Sequence, residues 1–189
     1  TVRLASGRED LGPDFRAYRN HVYRVINLCV ALGKFGSEDS EKIQIAACFH
    51  DIGIWTAGTL DYLGPSEADA ASYLRSTARE GWVPEIVEMI EMHHGIRSRA
   101  HSAFPLVEPF RRADIADFSL GIFPMGSSRE LIASLKAEFP NAGFHKRLLE
   151  LGANWFLRHP GYPSPMFRRY STSLPRRCRV PDLAADNTS

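Results

Sequence analysis

Seven side chains have types and spacing suited to chemistry: His21, the adjacent pair His50-Asp51, the adjacent pair His93-His94, and Asp114 with Asp117 three residues on. Imidazole nitrogen and carboxylate oxygen are the donors that divalent transition ions take. No cysteine accompanies them at ligand spacing. A set without thiolate disfavours a structural zinc site and favours Mn, Fe, Co, Ni or a catalytic Zn with open positions. Such an ion lowers the pKa of bound water from about 15.7 toward about 7 and polarises a phosphoryl oxygen, so it supplies hydroxide for ester hydrolysis at neutral pH. Taken singly, each of these residues is more often a satisfied core histidine or a hydrogen-bonded aspartate. Their convergence from separate elements is what argues for a metal.

Those elements read as helices. The pair His50-Asp51 closes an apolar run, Ile43-Gln44-Ile45-Ala46-Ala47-Cys48. Residues three and four apart share a helix face, so His50 falls on the stripe of Ile43, Ala46 and Ala47, and Asp51 follows Ala47. Burying a bare carboxylate is costly, and a divalent cation removes that cost while using the imidazole. Upstream, Asp14 suits an N-cap, and Phe15, Tyr18, Val22, Val25, Cys29 and Leu32 recur at helical steps until Gly33, with His21 on the inner edge. The helix bearing His50-Asp51 starts after Ser37-Glu38-Asp39-Ser40 and ends at Gly53. Trp55 to Gly64 lacks a helical period and reads as a loop that walls a pocket. A third helix opens at Pro65-Ser66. A fourth runs from Pro84, with Ile86, Val87, Ile90, His93 and His94 on one side, to Gly95. A fifth, with Pro109 in its first turn, aligns Phe110, Ala113, Asp114 and Asp117. Two more are expected over Ser128 to Glu138 and Ala142 to Arg158. With no alternating strand segment and no repeat, the fold is expected to be all-α.

Length and charge narrow the setting. A chain of 189 residues with 44% apolar content and a formal charge of +1 has enough material for one full core. The near-neutral balance implies no nucleic-acid polymer, although Arg168-Arg169, Arg176-Arg177 and Arg179 gather late in the chain. No apolar run approaches membrane-spanning length, so no membrane partner is expected and the cytoplasm is the expected compartment. A start at Thr1 suggests that an upstream segment has been removed. Cys29 and Cys48 fall on apolar faces as small core residues would. Residues 1–169 read as one helical domain and 170–189 as a poorly ordered tail.

His21, then His50-Asp51, then Asp114 resembles the H…HD…D signature of the HD-domain metal-dependent phosphohydrolase superfamily. The surroundings Asn20-His21-Val22-Tyr23-Arg24, Phe49-His50-Asp51-Ile52-Gly53, Met92-His93-His94-Gly95 and Arg112-Ala113-Asp114-Ile115-Ala116-Asp117 resemble the family's motifs as well. The resemblance implies an HD-domain-like helical bundle with one ion on His21, His50, Asp51 and Asp114. It also implies that His93 is the further histidine binuclear members use for a second ion. Two positions depart from the pattern. Ser66-Glu67 stands where binuclear relatives usually carry another histidine, and Ile54-Trp55-Thr56 stands where some members carry a catalytic Glu or Lys.

From the residues themselves, Arg24 and Arg97 are candidate phosphate clamps, because guanidinium pairs bidentately with phosphate. Asp117 is placed to orient a ligand or relay a proton, and His94 to assist proton transfer. Trp55 and Tyr62 are candidates to stack on a base or wall a substrate, with packing favoured for Trp55. The leading expectation is a metal-dependent phosphohydrolase acting on a small phosphate ester such as a nucleotide, with a homo-oligomer allowed. The alternatives are an HD-type di-iron oxygenase or a hydratase/lyase on a small organic substrate, and a non-catalytic metal-binding module.

Overall fold

The computed structural model describes residues 8–95 and 97–161, and within them every regular element is a helix. A short helix α1 (Arg8–Leu11) and a 3₁₀ turn over Gly12–Asp14 run directly into α2 (Phe15–Ala31). Asp14 does not cap α2. Its backbone is already helical, so its carboxylate is free to accept from Trp55 Nε1 at 3.0 Å and Arg147 Nε at 2.8 Å. Along α2 the expected stripe is buried: Tyr18, Val22, Val25 and Cys29.

The next helix, α3 (Ser37–Phe49), opens where Asp39 Oδ2 accepts the Gly36 backbone N–H at 3.2 Å. It stops at Phe49, short of the His-Asp pair, and Gly53 opens a one-turn helix α4 (Gly53–Thr56) instead of ending a helix. The amide of Ile54 bonds to Asp51 O at 3.0 Å, which carries the chain across the junction. A Cβ on Gly53 would lie 2.5 Å from Tyr62 O and 3.0 Å from Ser66 N, so only glycine lets the start of α5 (Leu63–Ser76) approach the pair. The expected loop from Trp55 to Gly64 therefore shrinks to 57–62. Helix α5 begins two residues ahead of Pro65, whose missing N–H costs nothing in a first turn.

After these come α6 (Val83–Met92), α7 (Val107–Phe118), α8 (Arg129–Glu138) and α9 (Phe144–Arg158). Helix α8 is capped by Ser128 Oγ, which accepts from Leu131 N at 3.1 Å. Helix α9 starts at Phe144 and not Ala142, because Ala142 and Gly143 hold φ values of 52° and 91°, outside the helical range.

In the bundle α2 packs chiefly on α7 and α3, while α6 packs on α5, α3 and α7. One cluster, including Val22, Ile43, Ile86, Met89 and Phe110, forms the core, and Ile54, Tyr62 and Leu63 form a satellite beside Leu148 and Leu151. Cys29 and Cys48 are buried, and burial pushes both thiols up to about 12, which keeps them inert at neutral pH. No helix of the described residues is long and apolar enough to cross a membrane. The boundary at residue 169, the tail, Cys178 and the late arginines lie outside the described residues.

Candidate metal centre

Two of the three central histidines are aimed by the ends of the helices that precede them. The last carbonyls of a helix lack intrahelical partners. His50, the first residue past α3, uses Nδ1 on Ala47 O at 2.9 Å, and His93, the first past α6, uses Nδ1 on Ile90 O at 2.5 Å. A carbonyl only accepts, so a proton sits on Nδ1 and each Nε2 is the nitrogen turned to the centre, where its lone pair would serve an ion. His21 lies in the middle of α2, where carbonyls are spent on the helix. Its Nδ1 is held by Asp117 Oδ2 at 2.7 Å, from α7. Asp117 is held in turn by Arg24, through Nε to Oδ1 at 2.6 Å and Nη2 to Oδ2 at 2.9 Å, while Arg24 Nη1 donates to Phe139 O at 2.8 Å.

The donor atoms therefore converge. His21 Nε2 and His50 Nε2 stand 2.9 Å apart. Asp51 Oδ2 lies 3.6 and 3.3 Å from those two nitrogens, and Asp114 Oδ1 lies 3.6 and 3.5 Å from them. His93 Nε2 faces Asp51 Oδ1 at 3.3 Å. Three overlapping groups bring ligand atoms within 4.8 Å of one another: His21, His50 and Asp114; His50, Asp51 and His93; His93, His94 and Asp114. Two neutral imidazole lone pairs at 2.9 Å repel unless a proton or a cation lies between them. Asp51 Oδ1 and Asp114 Oδ2 are buried without a hydrogen-bond partner, the condition that burial of a carboxylate makes costly. Arg24 neutralises Asp117, which leaves two carboxylate charges at the centre, and a divalent cation balances them. The residues present fit such an ion.

Electrostatics agree with the geometry. Burial alone would pull the His50 imidazole down, but Asp51 and Asp114 outweigh it and push it up to about 10. Burial works against the charge of Asp51 as well, yet His50 and His93 hold it well below the usual carboxylate range. His21 and Arg24 overcome burial at Asp117 and lower it to about 2, so it stays an anion and an acceptor. His94 goes the other way: burial and the adjacent His93 drop it to about 3, which keeps it neutral. Without an ion His50 is therefore an imidazolium, whose Nε2 proton a bound cation would displace, whereas Asp51 and Asp117 are anions and His94 is neutral.

The family model of the HD domain matches residues 18–132, well over half of the chain. The chain belongs to the HD domain family. No curated protein and no solved structure matches it. Members of this family bind divalent metals and are generally hydrolases, and the buried His/Asp cluster lies within the matched residues.

Arg24 does not take the place foreseen for it. It is 2% exposed with all three guanidinium nitrogens engaged, so the phosphate-clamp expectation is corrected to a brace on Asp117. Arg97 is exposed in the connection between α6 and α7. Trp55 packs on Tyr18 at 5.0 Å between ring centroids. Ser66, at the departure from the binuclear HD pattern, is buried and its Oγ accepts from Gly53 N at 3.0 Å, which fixes the junction after Asp51.

Two site residues escaped the sequence. Tyr62, considered only for stacking on a base or walling a substrate, places its hydroxyl 2.5 Å from His94 Nε2 and 3.5 Å from His93 Nε2. Arg111 is buried, bonds to Gly95 O at 2.7 Å and to Glu108, and so anchors the His93-His94-Gly95 turn from α7. Its signal was present. Arg111 precedes Asp114 by three residues and follows Glu108 by three, which puts all of them along one side of α7.

Proposed function

We propose that the chain is a metal-dependent phosphohydrolase acting on a small phosphate ester such as a nucleotide. The reading is carried by the two imidazole nitrogens held 2.9 Å apart against two buried, partly unpaired carboxylates. His21, His50, Asp51 and Asp114 hold one divalent ion, Mn, Fe, Co, Ni or Zn, and His93 supplies a further nitrogen on the side of a second. When bound, the ion supplies an activated water and polarises a phosphoryl oxygen. In the overall step, the water oxygen joins phosphorus, the ester P–O bond breaks, and the alcohol leaves with a proton. His94 moves that proton at its ring nitrogen, and the Tyr62 hydroxyl fixes the ring. Asp117 acts through His21 by holding Nδ1, and Arg97 is the remaining candidate for a phosphate oxygen. The domain is taken as residues 1–169, and the compartment as the cytoplasm.

A panel of phosphate esters with Mn, Co, Ni, Mg, Fe or Zn added to metal-stripped protein tests this. Turnover that depends on the ion and disappears in Asp51→Ala is expected. No turnover with any ion at any pH would replace the reading with a non-catalytic metal-binding module. A second enzymatic reading, a hydratase or lyase on an uncharged organic substrate, is favoured by one observation: Arg24, the arginine buried beside His21, is wholly committed to Asp117 and Phe139 and so is not available to phosphate. A di-iron oxygenase would need two irons per chain and oxygen uptake, and the Ser66 hydroxyl that stands at the sixth-ligand position already serves Gly53.

A further inference from the structure

We infer that the substrate carries an apolar group of aromatic size beyond its phosphate, and that Phe118, with Ile122 and Phe123, receives it. This rests on the phosphohydrolase reading and names the substrate class for the same site. Among the described residues of the centre, His94 is the most exposed. The side chains of His21, His50, Asp51, His93 and Asp114 are at most 6% exposed, whereas that of His94 is 12% exposed. Tyr62 flanks His94 on one side, and Phe118 also meets its ring edge to face, at 6.1 Å and 68°. Phe118 is the last residue of α7, four residues after Asp114, so the helix that carries a ligand also carries this ring.

Phe118 is 50% exposed, and the turn after it exposes Leu120 at 44%, Ile122 at 74% and Phe123 at 61%. Exposed turns favour small polar residues, glycine and proline. Large apolar side chains packed this densely on a surface mark a contact. The surface is also built to keep its shape. Gly121 N bonds to Ala116 O at 2.8 Å, Phe123 N to Ser119 Oγ at 3.1 Å, and Lys136 Nζ to Leu120 O at 2.6 Å. Behind Phe118, His145 Nε2 meets Phe118 O at 2.9 Å, and the two rings lie 5.9 Å apart. A fixed apolar ledge that touches the most exposed group of a phosphate-cleaving centre fits an ester whose alcohol half is apolar.

The test compares 2-phenylethyl phosphate with ethyl phosphate, whose leaving alcohols are similar in reactivity and differ in the ring. Metal-loaded wild type is expected to favour the phenyl ester by about 10-fold or more in kcat/KM, through KM, the range a filled apolar contact gives. Phe118→Ser should bring that ratio toward unity at unchanged metal content, and Ile122→Ser and Phe123→Ser should each lower it in part. Calorimetric binding of 2-phenylethylphosphonate against ethylphosphonate gives a readout independent of turnover and should show the same order. Equal kcat/KM for the two esters, with Phe118→Ser silent, overturns the inference and leaves the phosphohydrolase reading in place. Failure to hydrolyse either ester with any ion overturns both. If instead the serine variants dissociate a dimer in sedimentation and leave the ratio unchanged, the ledge belongs to a second copy of the chain and the inference falls.

Discussion

The two ends of the metal centre are held by different forces. At the His21 end the imidazole is fixed by an ionised carboxylate, which is fixed by an arginine, and Phe144 stacks on the ring at 4.3 Å and 15°. The carboxylate and the guanidinium there are charged, paired with each other and shut away from solvent. At the other end His93 rests on a backbone carbonyl, His94 rests on a phenol, and the half-exposed Phe118 stands at the edge. Apart from the shared carboxylates, Asp51 at 3.3 Å from His93 Nε2 and Asp114 at 3.8 Å from His94 Nδ1, its partners are neutral. Charge-assisted hydrogen bonds are roughly twice as strong as neutral ones, and a buried ion pair cannot lose one partner cheaply. The closed end is therefore suited to holding an ion in fixed geometry, and the neutral, partly open end to admitting a substrate and exchanging protons with it.

Four outcomes break or sharpen that contrast. Asp51 faces both ends, so Asp51→Ala should abolish metal binding outright. With metal at about 1,000 times its Kd the loss of linkage should lower stability by about 4 kcal/mol, read by denaturant unfolding with and without added ion. Arg24→Ala strikes the closed end alone. It leaves the buried Asp117 carboxylate without its guanidinium and held by His21 alone, so a loss of about 3 kcal/mol is expected together with weaker metal binding, and fluorescence-monitored unfolding beside a metal titration reads both. A variant of wild-type stability whose only change is a higher KM would return Arg24 to the role of phosphate clamp. Tyr62→Phe strikes the open end alone and should lower kcat by about 10-fold while metal content and stability stay near wild type. Loss of the ion in that variant would erase the division of labour.

The smallest effect is the response of the metal-free protein to pH. The His50 pKa is raised from 6.5 to about 10 in the folded state, so its contribution is complete below pH 6.5 and is lost as pH rises through about 10. His94 is lowered from 6.5 to about 3, so its contribution is present above pH 6.5 and is lost as pH falls toward about 3. Chelator-treated protein should accordingly be most stable near pH 6.5. Saturating metal should move the optimum upward, because the ion needs neutral imidazoles and competes with protons for them. Thermal melts across this range with and without chelator give the two optima, and coincident optima would show that the histidines do not bind the ion.

Periodicity carried much of this from the sequence. The apolar stripes of α2, α6 and α7 put His21, His93 and Asp114 on inward faces, because a period of 3.6 residues fixes direction whatever the neighbours are. It does not fix where a helix stops. The sequence ran α3 through to Gly53, yet His50 works because α3 ends just before it and leaves the Ala47 carbonyl free for Nδ1. Allegiance across the bundle was equally hidden. Arg24 and Asp117 are 93 positions apart, and nothing local tells a guanidinium whether it will face a phosphate or a carboxylate. Tyr62 lies on a short connection without periodicity, and it reaches the histidines only because Gly53 lets the start of α5 close on the pair.

Anomalous diffraction at the absorption edge of the loaded ion, on crystals of wild type, tests the central claim most directly. A peak about 2.0–2.2 Å from both His21 Nε2 and His50 Nε2, with Asp51 and Asp114 oxygens completing the shell, is the result expected from the closed end. A peak held by His93 and His94 with His21 unligated, or no peak in protein saturated with metal, would contradict it.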